Sequence, residues 1–232
     1  MWRILLVVLV IGCSQQTFHN YTGSEYVDAR YARDPLGEGA GIGIDTDPLI
    51  RFDAFDCTTF VETVLAGGNQ EKLKRIRYKN GKVDFMNRNH FIDTDWLENN
   101  SDLVKNVSAQ YAKTAIRRVT IDKKNWFKKK YGIDTNFQKQ TVNLEYISYK
   151  DAQNIRAIEP MVVLFVNAPG RAPEKIGTDL AVRHMGLLLP DGRLRHASIK
   201  QKRVVDVDFN KYVNQMMENQ NKLGIILLEI KK

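Results

Sequence analysis

Cys57, His184 and His196 have the side chains needed to hydrolyse an amide bond. Nucleophilic catalysis by cysteine needs a thiolate, a base beside it and a group that orients the base. Cys57 lies in Asp56-Cys57-Thr58-Thr59-Phe60-Val61-Glu62, where a turn passes into a helical pattern. In the first turn of a helix, unpaired N–H groups and the helix dipole favour an anion and lower a thiol's pKa. The competing reading is a buried structural cysteine, a common fate of unpaired thiols.

His184 and His196 fall on two strand-like runs joined by Pro190-Asp191-Gly192. That tripeptide suits a type I turn followed by a left-handed glycine, a three-residue hairpin loop. Such a loop pairs Leu189 with Arg193. Counting back, Gly186 faces His196 and His184 faces Ser198, so both histidines share one face as diagonal neighbours. Gly186, lacking a side chain, is expected to leave open space opposite His196. A two-residue loop would put the histidines on opposite faces, because a one-residue slip flips every side chain. The alternative is two unrelated strand histidines.

The elements that must position these residues follow from periodicity. Phe60, Val61, Val64 and Leu65 recur at helical spacing, Asp56 is placed to cap, and Gly67-Gly68 terminates, which predicts a helix over 57–66. Tyr26 to Arg33 reads as a short helix, and Gly37 to Gly43 as a flexible loop without the strand and helix of a dinucleotide site. Lys79-Asn80-Gly81-Lys82 signals a hairpin within Arg75–Phe85. Leu103, Val107, Tyr111 and Ala115, at steps of four, predict a helix over 101–119. Strands are predicted at Met161–Val166, Val182–Leu189, Arg193–Lys200, Val204–Val207 and Gly224–Ile230, with a helix around Phe209–Asn219. Helices first and then mostly strands, without βα alternation, argue an α+β fold.

The N-terminus places the chain in a compartment. The apolar run Ile4–Ile11 is shorter than the roughly 20 residues a membrane span needs, and fits the core of a signal peptide after Arg3. Val10-Ile11-Gly12-Cys13 resembles a bacterial lipobox, which implies a signal peptide over 1–12, lipidation of Cys13, and a tether over 13–25. Ser14 resembles outer-membrane sorting. The expected location is the bacterial envelope, facing the periplasm, with membrane contact through the lipid. Cys57 is then a lone thiol in an oxidising compartment, which favours chemistry over packing. The remaining length suits a single domain over 26–232. A net charge of +8 in an exported protein points to anionic wall polymers and lipids, not nucleic acid. A monomer is expected.

Other residues have competing readings. Arg88 and His90 could bind substrate, Arg88 by clamping a carboxylate, or could serve a structural network. Lys123–Lys130 with Trp126 and Phe127 reads as a solvated amphipathic face or as a contact for peptidoglycan or anionic lipid. Asp45-Thr46-Asp47 and Asp93-Thr94-Asp95 read as turns and caps, not calcium loops. No Cys/His spacing suits zinc, so no metal or other cofactor is expected.

Several of these motifs carry a family resemblance. Asp56-Cys57-Thr58-Thr59-Phe60-Val61, His184-Met185-Gly186-Leu187 and His196-Ala197 resemble the NlpC-type, papain-like cell-wall cysteine hydrolases. With Glu62, Arg88-Asn89-His90-Phe91, Asp208-Phe209-Asn210-Lys211-Tyr212 and Gly224-Ile225-Ile226, they resemble the N-acetylmuramoyl-L-alanine amidase-like branch, from about Tyr26 to Ile230. The resemblance implies a nucleophile helix packed on an antiparallel sheet, with a helical, family-specific insertion over 70–155. It implies Cys57 as nucleophile, His184 as general base and acid, and His196 as the residue orienting His184. The implied substrate is peptidoglycan or muropeptides, cut between N-acetylmuramic acid and L-alanine. The alternatives are a γ-D-glutamyl–diamino acid endopeptidase with the same triad, or a non-enzymatic glycan-binding lipoprotein. The family's aromatic site residue upstream of the cysteine has no tyrosine in register here, which leaves Tyr31 or Phe52 as substitutes.

Overall fold

The computed structural model of the chain describes residues 21–41 and 43–231. The expected signal peptide over 1–12, Cys13 and most of the expected tether over 13–25 lie outside the described residues. In chain order the elements are β1 (Arg30–Tyr31), β2 (Ala54–Phe55), α1 (Cys57–Ala66), α2 (Gln70–Arg77), α3 (Leu97–Asn99), β3 (Val104–Asn106), α4 (Ser108–Tyr111), β4 (Thr114–Ile121), α5 (Lys123–Tyr131), β5 (Gln140–Ser148), β6 (Met161–Asn167), α6 (Ala172–Ile176), β7 (Val182–Leu188), β8 (Arg193–Ser198), β9 (Arg203–Asp208), α7 (Phe209–Met217) and β10 (Lys222–Ile230). Among the described residues, ten strands form one sheet in the order β2-β1-β9-β8-β7-β6-β10-β5-β4, and β3 also pairs with β10. The β1–β2 pairing is parallel, and the others are antiparallel. The fold is the α+β class expected from the order of elements.

The sheet is buried on both faces at its centre. Every residue of β6 is buried, which is why its sequence runs apolar without alternation. Its side chains still divide by the strand period of two. Val162, Leu164 and Val166 join α1 residues Phe60, Val61, Val64 and Leu65 on one face. Val163 and Phe165 join Phe209 and Val213 of α7 on the other. Packed chain begins before Tyr26: Tyr21 packs on the α1-side core, and a side chain on Gly23 would meet Val64 and Phe60.

The helix that carries Cys57 is held at both ends and along one side. Asp56 Oδ1 accepts the Thr59 N–H at 2.8 Å, and Thr59 Oγ1 accepts the Asp56 N–H at 2.9 Å. Threonine thus fills the reciprocal capping position where glutamate or glutamine is usual. Gly67, at φ 60, ends the helix in the left-handed conformation. Glu62 is buried on α1 and meets Arg77 Nη1 of α2 at 2.7 Å. Arg77 Nη2 donates to the Leu36 carbonyl at 3.0 Å, so one guanidinium ties α1, α2 and the 34–38 loop together.

The strand that carries His184 has an anchor of its own. Asp93 Oδ1 accepts the backbone N–H groups of Ala181 and Val182, at 3.1 and 3.0 Å. This fixes the start of β7 two residues before His184. Burial pushes the Asp93 carboxyl up to about 6, against the pull of those two N–H groups.

Several local expectations are corrected. Residues 101–119 are not one helix: β3, the short α4 and β4 occupy them. The steps of four at Leu103 to Ala115 were outweighed by alternation further on, where Arg117, Val119 and Ile121 are buried on one side of β4. β4 pairs with β5 from Thr114↔Ile147 to Ile121↔Gln140, so the 70–155 segment widens the sheet as well as adding helices. Asn80 and Gly81 have the positive φ values of a tight turn, 54 and 69, but α2 runs into it and only Tyr78↔Arg88 pair across it. Residues 26–33 hold the end of a 3-10 turn and β1 instead of a helix. Residues 123–131 form α5, with Trp126 and Phe127 buried and Lys124, Lys128, Lys129 and Lys130 exposed, which is the amphipathic-face arrangement. Among the described residues, no helix is long and apolar enough to cross a membrane.

Two stability predictions follow from the buried charges. Glu62→Ala leaves the Arg77 guanidinium buried without its carboxylate, and denaturant melts should lose about 3–5 kcal/mol. At Asp93 the sign of the pH effect is set by the raised pKa. The folded protein keeps a proton that the unfolded chain, near the ordinary value of 3.8, has released. That contribution is present below the unfolded value and is lost as pH rises through about 6. Asp93→Asn keeps the acceptor and stays neutral, so its melting temperature should gain on wild type as pH rises from about 4 to about 6, and the gain should then stay level. Asp93→Ala strands two buried N–H groups and should cost about 1–3 kcal/mol at any pH.

Candidate active site

Cys57 opens the first turn of α1 and packs with the α1-side core. His184 and His196 project to the opposite, α7 side, where His184 stacks on Phe165 and His196 meets the Tyr212 ring edge-on. The two sides meet because β7 and β8 part. Their recorded pairing is Leu187↔Arg195 and Leu188↔Leu194, the register expected from the three-residue loop. The Leu189 N–H donates to the Arg193 carbonyl at 2.9 Å, and Gly192 takes φ +83. Toward His184 and His196 the strands no longer pair, and a cavity of about 910 Å³ is lined by Cys57, His184, His196, Tyr31 and Tyr212 among others. That volume is typical of a small-molecule site.

The histidines are joined directly. His184 Nε2 lies 2.8 Å from His196 Nδ1, with the rings at 77°. This bond leaves His184 Nδ1 as the nitrogen available for other work. The space at Gly186 is tighter than expected. A Cβ there would lie 2.8 Å from the Arg195 carbonyl oxygen and 3.0 Å from His196 Cβ. Glycine is needed because the strands approach closely, not because a gap faces His196.

The electrostatics hold the resting groups neutral. Burial, aided by the neighbouring Asp56 carboxylate, pushes the Cys57 thiol up to about 11. The nearby Met185 N–H and Thr58 hydroxyl pull the other way and are outweighed. The expected lowering at the helix N-terminus is therefore overcome by desolvation. Burial, with the repulsion of His196, pushes His184 down to about 3. Burial lowers His196 to about 4.

Of the two aromatic candidates upstream of Cys57, Tyr31 lines the cavity. Phe52 is exposed and stacks on Tyr26 instead. Tyr31 lies close enough to Cys57 that a charge on either would oppose ionisation of the other. Tyr212 lies similarly close, and burial pushes its hydroxyl up to about 12.

Arg88 and His90 line a separate pocket of about 190 Å³ with Asp56 and Thr58. Arg88 Nη2 meets Glu38 at 2.6 Å and Asp45 at 2.8 Å, and Arg88 Nε donates to the same Glu38 oxygen at 3.0 Å. Its guanidinium thus binds the 34–45 loop to the body. His90 Nε2 lies 2.7 Å from the Phe85 carbonyl oxygen among the rings of Phe85, Trp126 and Phe127. The Asp93 anchor, and the Arg183 and Lys222 side chains on the cavity wall, had no role in the sequence reading. The signal available for Lys222 was Gly224, since glycine inside a strand marks a bulge or a close backbone approach.

The comparisons with known proteins agree on architecture. The family described as AmiA-like, N-acetylmuramoyl-L-alanine amidase-like, matches residues 21–219. A solved Legionella pneumophila protein is 25% identical, with a TM-score of 0.83 over 90% of this chain and 87% of that one. A Bacteroides uniformis N-acetylmuramoyl-L-alanine amidase is 24% identical, with a TM-score of 0.69 over 90% and 96%. A Bacteroides fragilis protein whose name suggests a xylanase is also 24% identical, at 0.68 over 90% and 98%. Likeness at the level of the two Bacteroides structures speaks to the fold. No curated protein matches the chain.

Proposed function

This chain belongs to the N-acetylmuramoyl-L-alanine amidase-like family, and we propose that it hydrolyses peptidoglycan amide bonds with Cys57 as nucleophile. The bond is the one between the lactyl group of N-acetylmuramic acid and L-alanine. One observation carries the mechanism: the His184–His196 bond of 2.8 Å, in a cavity that also receives Cys57 from a helix N-terminus.

The tautomers follow from that bond. For His184 Nδ1 to accept the Cys57 proton, its Nε2 must carry hydrogen and donate to His196 Nδ1. His196 then holds the ring and spreads the charge when His184 becomes imidazolium, with Asp206 favouring positive charge on His196. A lone thiolate or a lone imidazolium is disfavoured by burial, so the two charges form together by proton transfer, each screening the other.

The Cys57 sulfur attacks the carbonyl carbon, forming the C–S bond. The backbone N–H of Cys57 at the start of α1 stabilises the oxyanion. Tyr31, kept protonated by burial and by Asp56 and Cys57, supplies a second donor in the cavity. His184 returns its proton to the amide nitrogen as the C–N bond breaks, releasing the peptide and leaving a thioester. Water, deprotonated by His184, attacks the thioester. The C–S bond breaks, the muramic acid carboxylate leaves and the thiol is restored.

We also propose that the protein is a lipoprotein anchored through Cys13 and facing the periplasm. The support is the Ile4–Ile11 run and Val10-Ile11-Gly12-Cys13, ahead of a domain packed from Tyr21.

Three experiments test these readings. Mass analysis of purified muropeptides after incubation should show free N-acetylmuramic-acid glycan plus intact stem peptide. A disaccharide-dipeptide would indicate the endopeptidase instead. Cys57→Ala should lose at least 10³-fold in rate with an unchanged melting profile, and undiminished cleavage would overturn the mechanism. Separately, a fatty-acid probe fed to expressing cells should label the wild-type protein and not Cys13→Ala. Equal labelling, or none in wild type, would overturn the anchor.

A further inference from the structure

Two β-bulges sit side by side at one end of the sheet. Between β6 and β7 the register shifts from Phe165↔His184 to Val166↔Val182, leaving Arg183 as the extra residue. Between β6 and β10 it shifts from Val166↔Gly224 to Asn167↔Lys222. A bulge bends its strand and re-aims nearby side chains. Arg183 is itself the extra residue of the first bulge, and Lys222 flanks the second, in which Leu223 is the extra residue. Beside the second bulge, Gly224 admits the close approach of β5, because a Cβ there would overlap the Ile147 carbonyl oxygen.

Arg183 and Lys222 line the cavity of Cys57 and also a neighbouring cleft of about 510 Å³. That second cleft adds Arg171 and Lys175, and no aspartate or glutamate lines it. Arg171 is partly neutralised by Glu174. Lys222 Nζ is held at 2.7 Å by the neutral Asn167 Oδ1. Arg183 Nε reaches the Leu180 carbonyl at 3.4 Å, leaving its terminal nitrogens toward the clefts. In the Cys57 cavity the carboxylate on the wall is Asp208, which accepts the Lys211 N–H, so the cations outnumber the carboxylates and favour an anionic ligand.

The side of the reaction they face is set by His184. It protonates the leaving amine, and Arg183 and Lys222 line the same cavity as His184, with Lys222 close enough to oppose its charging, so the released peptide is assigned toward them. In a peptidoglycan stem, glutamate is joined through its γ-carboxyl, and its α-carboxylate stays free one residue beyond the cleaved bond.

We propose that Arg183 and Lys222 form a carboxylate subsite that selects the leaving peptide, binding the free α-carboxylate of its γ-linked D-glutamate, while Arg171 and Lys175 receive carboxylates further along. This rests on the amidase reading above.

The test compares N-acetylmuramoyl-L-alanyl-D-glutamate with its isoglutamine form, in which that carboxylate is an amide. Wild type should favour the acid by about tenfold in kcat/KM, expressed mainly in KM, and the preference should shrink as salt rises. The double variant Arg183→Gln, Lys222→Gln should bring the ratio of acid to amide kcat/KM down to about one. Equal turnover of the two substrates by wild type, or an equal loss on both in the variant, overturns the subsite. If wild type cleaves neither, the amidase reading fails, and calorimetry decides the subsite independently. Cys57→Ala titrated with L-alanyl-γ-D-glutamyl-diamino acid should bind it at least tenfold more tightly than the isoglutamine form, and equal binding overturns the proposal.

Discussion

The site depends on the parity of one hairpin. His184 and His196 can share a proton because Leu189 opposes Arg193 across Pro190-Asp191-Gly192, a count that puts both rings on the α7 side of the sheet. A strand has a side-chain period of two, so a shift of one residue would send one ring into the α1-side core. Gly192 at φ +83 allows the turn. Gly186 allows the close approach beside it, and the strands part just beyond. The parting lets a thiol from one face of the sheet and two imidazoles from the other line the same cavity.

Around that pair, buried charge does the positioning. Glu62 with Arg77 holds α1 against α2, Glu38 and Asp45 with Arg88 hold the 34–45 loop, and Asp93 holds the start of β7. These groups need not add net stability, since desolvation offsets much of the attraction. Their consequence is geometric: each is satisfied in one arrangement and left stranded in others. The candidate site is treated differently. Cys57 and His184 have no permanent opposite charge beside them, and burial disfavours the charged form of each.

Much of this was legible in the chain. The α1 boundaries follow from Asp56, the apolar spacing and Gly67, all local signals. The strands from Met161 onward read clearly because their apolar runs end at turn residues. The hairpin register was countable because it is decided within a dozen residues. The insertion read poorly. β4 buries Arg117 beside Val119 and Ile121, so its inward face does not look apolar. β5 buries fully only Leu144 and Ile147, and it pairs with a strand whose identity it cannot announce. Arg88 was visible as a motif, but Glu38 lies far off in sequence, and no local pattern says which carboxylate a distant arginine will meet.

By itself the sequence determined the capped helix that begins at Cys57 and the face shared by His184 and His196, because short-range capping, periodicity and turn chemistry govern both. Tertiary structure alone decided that these two pieces line one cavity, that Arg88 turns to the 34–45 loop, and that Arg183 and Lys222 come to the cavity wall. It also decided the protonation of the site. A helix N-terminus favours a thiolate locally, yet the depth at which α1 is packed raises the Cys57 thiol to about 11, because desolvation depends on what surrounds a group in space and not on its neighbours in the chain.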